Sequence, residues 1–120
     1  MISHSDATFL DAPALLETEN NGVLWGGQSD DLNVTLLSWP HGEGVAQHVN
    51  TEVDVLLVVL HGTGRVVVNG AAFELQMGQS LLVRKGSERL IESTSERFSY
   101  LSVHRRRGGL MPTLGGRQTR

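Results

Sequence analysis

Apolar residues along this chain fall in short runs rich in Val, Leu and Ile, broken at Gly-containing turns. The runs predict strands over 23–26, 32–39, 45–48, 54–61, 65–68, 72–75, 80–83, 89–93 and 98–104. Turn signals stand between them at Asp30-Asp31, Pro40 with Gly42, Gly62 with Gly64, Asn69-Gly70, Gly78 and Gly86. Asn69-Gly70 is a two-residue hairpin signal, because both residues tolerate positive φ. No segment sustains a 3.6-residue period. The best helical candidate is 12–18, with Asp11 as N-cap and Pro13 in the first turn. Strands at regular spacing with no helices between them predict an all-β barrel or sandwich.

The length of 120 residues suits one domain. With 39% hydrophobic and 19% charged residues, the composition is that of a globular protein rather than a disordered one. Cysteine is absent, which excludes disulfides, thiolate catalysis and Cys-based zinc sites. No apolar run approaches the roughly 20 residues that cross a bilayer. Residues 1–11 lack the basic and apolar regions of a signal peptide, so a cytoplasmic location is expected.

Charge is uneven. Residues 105–120 hold Arg105, Arg106, Arg107, Arg117 and Arg120 and no acid. Residues 1–104 then carry five basic against thirteen acidic residues, a net −8. A basic tail is one footprint of nucleic-acid binding. Here the Arg residues lack interleaved aromatics and are flanked by glycines, so a loose, solvated tail is the preferred reading. Residues 1–20 read as an N-terminal arm.

From Gly42 onward the spacing becomes specific. Gly42 is followed after five residues by His48, then by Asn50, by Asp54 and, after seven more, by Gly62. Gly78 is followed after five residues by Arg84, then by Gly86, Arg89 and Ser93. This pattern resembles the two motifs of the cupin family, G-x5-H-x-H-x3,4-E-x6-G and G-x5-P-x-G-x2-H-x3-N. The resemblance covers residues 32–104. It implies a double-stranded β-helix, or jelly-roll barrel, with a pocket between its sheets, and a homodimer paired through sheet faces. In metal-binding members two histidines and a glutamate of the first motif and a histidine of the second hold one divalent ion. The corresponding positions here are His48, Asn50, Asp54 and Arg89, of which only His48 is unchanged. The motif proline is Arg84 and the motif asparagine is Ser93.

These replacements alter the chemistry. Imidazole and carboxylate bind transition metals, whereas Asn offers only a neutral carbonyl oxygen. Arginine stays protonated and has no lone pair to give. The expectation is a pocket of His48, Asn50, Asp54, Arg89 and Ser93 without a tightly bound metal or other cofactor. A divalent transition metal, if bound, would use His48 and Asp54, with His41 or His104 added from outside the motifs. Alignment with the motif places Asp54 inward together with Leu56, Val58 and Leu60, leaving Val55, Leu57 and Val59 outside. Arg89, Ile91 and Ser93 share a face, as do Tyr100, Ser102 and His104. Trp25 and Trp39 read as core or interface anchors. His4 belongs to the arm.

Two readings of the polar group stay open. Arg89 and Asp54 form a buried pair filling the space of a metal, or Arg89 receives an anionic ligand, with Arg84 and Lys85 making the rim basic. Three functions follow. The first is a protein that binds a small anionic molecule. The second is a cupin enzyme of dioxygenase, isomerase or decarboxylase type, with a rearranged metal site or a His48–Asp54 acid/base pair. The third is a scaffold that acts through partner contacts.

Overall fold

The computed structural model describes residues 6–106, which form one short helix and nine strands. They are α1 (Ala12–Leu15), β1 (Gly22–Gln28), β2 (Leu32–Pro40), β3 (Gly44–Val49) and β4 (Val55–His61), followed by β5 (Thr63–Val68), β6 (Ala71–Gln76), β7 (Ser80–Val83), β8 (Glu88–Ser93) and β9 (Arg97–Arg105). All nine predicted strands are present. The predicted helix shrinks to one turn: Asp11 caps it, its Oδ1 accepting from Ala14 N–H at 3.2 Å. Four residues are too few for a helix to extend without a packed face. No helix among the described residues is long and apolar enough to cross a membrane.

The strands form two antiparallel sheets, in the orders β1-β2-β9-β4-β7 and β3-β8-β5-β6. This interleaving of sequence-distant strands is a jelly roll. The hairpin β5–β6 turns at Asn69 (φ 49°) and Gly70 (φ 85°), both left-handed as the two-residue turn demands. The core fills the space between the sheets. Leu57, Val59, Phe98 and Tyr100 from one sheet meet Val66, Leu75 and Ile91 from the other.

The parity of β4 is the reverse of the motif-based expectation. Val53, Val55, Leu57 and Val59 are buried, while Asp54 and Leu56 are exposed. Both faces of this strand are apolar, so hydrophobic alternation carries no register information there. Placement is then decided by Asp54, whose ionised carboxylate costs less in water than in the core.

Two ends are tied to the barrel. Arg97 donates to the carbonyls of Leu16 (2.9 Å), Thr18 and Asn20 (2.7 Å), and to Ser38 Oγ (2.6 Å), fastening the arm to β2 and β9. At the other terminus β9 runs on through Arg105, and Arg106 N–H donates to Asp31 O at 2.7 Å. Arg105 and Arg106, expected in a loose tail, are therefore held by the barrel, because β2 offers backbone partners as far as Leu32. His4, Arg107, Arg117 and Arg120 lie outside the described residues.

Candidate functional site

A cavity of about 70 Å³ opens between the two sheets. On the four-stranded sheet its wall is built by β3 and β8, where His48 stands directly across from Arg89 and Val45 across from Ile91. Two residues lie between Val45 and His48 but only one between their partners Ile91 and Arg89, so β3 carries a bulge over Ala46 and Gln47. The extra residue resets the parity and lets Val45 and His48 both face inward. His48 Nδ1 lies 3.0 Å from Ala46 O, so Nδ1 carries the proton and, in the neutral ring, Nε2 keeps the lone pair. Arg89 is 5% exposed and donates from Nη2 to Arg84 O at 3.3 Å.

On the five-stranded sheet the wall comes from β2, β4 and β9: Leu37, Val55 and Leu57 with Tyr100, Ser102 and His104. His104 is buried, its Nδ1 2.9 Å from Arg105 O. Tyr100 is nearly fully buried, and its hydroxyl accepts from Trp39 Nε1 at 3.0 Å. Burial pushes its phenol up to about 12, opposed in part by that hydrogen bond. Trp39 thus holds a pocket residue as well as packing on the core.

Of the residues singled out from sequence, His48, Arg89 and His104 meet in this cavity; Asn50, Asp54 and Ser93 do not line it. Asn50 is buried, but its Oδ1 turns back to accept from the backbone N–H groups of Glu52 (2.9 Å) and Val53 (3.3 Å). Its Nδ2 has no hydrogen-bond partner among the described residues. Asp54 is exposed and its Oδ1 accepts from Lys85 N–H at 2.8 Å, while Asn50 O accepts from Gly86 N–H at 2.8 Å. Both residues serve the turn at 84–86, in the middle of the second motif. Neither the buried Arg89–Asp54 pair nor the His48–Asp54 acid/base pair is the arrangement found, since Asp54 lies on the solvent side of β4. Ser93 is buried at the far end of β8, donating to Ser95 O at 2.9 Å. His41 sits exposed in the turn before β3.

The family's four-ligand metal site does not fit these positions. Asn50 has committed its oxygen, Asp54 faces water, and Arg89 puts a guanidinium where the second motif's imidazole would stand. The lone pairs facing the cavity come from His48 and His104, joined by the Ser102 and Tyr100 hydroxyls. Tyr100, Ser102 and the apolar wall were not singled out as site residues from the motifs. The signal that finds them is the alternation along β9, which puts Tyr100, Ser102 and His104 on one face.

No family model and no curated protein sequence matches the chain. Solved structures do. A conserved double-stranded β-helix protein from Klebsiella pneumoniae superposes with a TM-score of 0.74 at 17% identity, over 90% of this chain and 92% of its own. A cupin protein from Bacteroides fragilis gives a TM-score of 0.59 at 24% identity, over 74% of this chain and 79% of its own. KdgF from a Halomonas species gives 0.65 at 15% identity, over 71% and 78%. At such identities the likeness is one of fold. Joined to the two interleaved sheets, it shows that this chain has the double-stranded β-helix fold found in those proteins.

Proposed function

We propose that the protein binds a small anionic molecule in the barrel cavity, without a tightly bound metal. The observation that carries this reading is Arg89, a permanently charged guanidinium, buried, in the cavity it lines with His48 and His104. A fixed cation at a ligand position repels a metal ion and attracts an anion, and apolar walls strengthen both effects over their values in water. A further donor suited to an oxygen atom is the Ser102 hydroxyl.

The test is elemental analysis of untagged protein together with thermal denaturation in acetate or phosphate. The expected result is no stoichiometric metal and a stabilisation that grows with anion concentration, about 2.7 kcal/mol at 100 times Kd, and is lost in Arg89→Gln. Stoichiometric Fe, Mn, Ni or Zn that disappears in His48→Ala supports the alternative, a metal-dependent enzyme of dioxygenase or isomerase type with its ligands rearranged onto His48 and His104.

We also propose that two copies pair through the outer face of the five-stranded sheet. Val34, Val103, Leu56 and Leu82 form one cross-strand row there, and Leu101 and Val58 the next, which Leu36, already fully buried in the single chain, continues. An antiparallel sheet face that meets only water alternates in polar residues. These two rows carry no charge to attract a charged partner, so a second copy of the same apolar face is the occupant that matches them.

A further inference from the structure

We infer that the anion is a monocarboxylate with a short apolar chain, bound with its head at the barrel mouth and its chain pointing inward; this rests on the anion-binding reading above. The cavity is layered. Arg89 and His48 face each other across β8 and β3, and Arg89 is tied to Arg84 at the end of β7. Arg105 Nη2 reaches Glu52 O just ahead of β4 (3.2 Å), which brings the His104 end of β9 to the same mouth, since β4 and β7 pair there through Val55 and Val83. The cationic and imidazole groups therefore share one end.

One layer inward the groups change. Val45 pairs with Ile91 on one wall, and Leu57 with Ser102 on the other. Deeper still stand Leu37 and Tyr100, also a cross-strand pair. Tyr100's hydroxyl is engaged by Trp39 and its phenol stays neutral to high pH. The inner layers thus offer apolar surface and few donors.

A carboxylate has both oxygens on one side and carbon on the other, which matches a polar mouth over an apolar floor. A phosphate sends oxygens in every direction, and those turned inward would lose water without full replacement. One permanent cation among the groups lining the cavity also balances one negative charge better than two. A cavity of about 70 Å³ holds a head group with a few carbons and falls short of the several hundred Å³ common for drug-sized ligands.

Calorimetric titration of the full chain with acetate, propionate, butyrate, valerate, butyramide and inorganic phosphate tests this. The expected result is binding that tightens about fourfold per methylene until the cavity is full, weak phosphate binding, and no butyramide binding. Ile91→Val, which enlarges the apolar layer by one methyl, is expected to move the optimum one carbon longer. A series flat in chain length, an optimum unmoved by Ile91→Val, or phosphate binding as tightly as butyrate overturns the inference and leaves the anion reading standing. Butyramide binding like butyrate overturns the anion reading itself. If none of the probes binds, both fall.

Discussion

Tyr100 is the chain's single tyrosine, so its titration is observable without interference. In the folded protein its phenol is pushed up to about 12 by burial, from an ordinary value of 10.0. Between those values the unfolded chain has released the proton and the folded chain has kept it, so stability is full below pH 10 and falls as pH rises toward 12. The fall amounts to about 2–3 kcal/mol. Urea midpoints from pH 9 to 12 should show it in the parent and not in Tyr100→Phe. Arg89 gives a second prediction at this scale. Arg89→His places a third imidazole in the cavity that His48 and His104 already line, and three His are a sufficient protein ligand set for zinc. Elemental analysis after zinc loading should give stoichiometric metal for Arg89→His and none for the parent. A variant that folds but stays empty would mean that the three positions do not converge on one point.

Single glycines control how the strands turn and pack. Gly62, between β4 and β5, has φ 75°, and a Cβ there would lie 1.8 Å from Arg97 O. Gly78, between β6 and β7, has φ 89° but open space around it. Gly78→Ala is therefore expected to cost only the left-handed backbone penalty, about 1–2 kcal/mol. Gly62→Ala must also displace a backbone carbonyl of β9, and should lower the unfolding midpoint well beyond Gly78→Ala under the same conditions. Both glycines belong to the motif spacing, and their place in turns was legible from the sequence alone. The strands were legible as well, because apolar runs separated by Gly-containing turns have few other ways to bury themselves. The bulge in β3 was not. Nothing in Val45-Ala46-Gln47-His48 marks an extra residue, and only pairing against Ile91 and Arg89 exposes it.

At the level of the molecule, the outer face of the five-stranded sheet carries the quaternary prediction. Sedimentation velocity should find a dimer, and Leu56→Lys combined with Leu82→Lys should give a folded monomer, since both side chains are already partly exposed at 37% and 52%. A monomeric parent would refute the pairing. The sequence by itself determined the all-β class, the nine strands and their turns, the jelly-roll barrel implied by the two motifs, and Arg89 as the residue that sets this pocket apart. Each of these depends on local periodicity, turn chemistry or the identity of one side chain. Only the tertiary structure showed which face of β4 turns inward, because Val and Leu stand on both faces and the motif alignment put Asp54 on the wrong one. It also decided that Asn50 and Asp54 serve a turn while His104, Ser102 and Tyr100 complete the cavity. Residues far apart in the chain become neighbours there through strand pairing, and a pairing register is a property of two strands together, written in neither one alone.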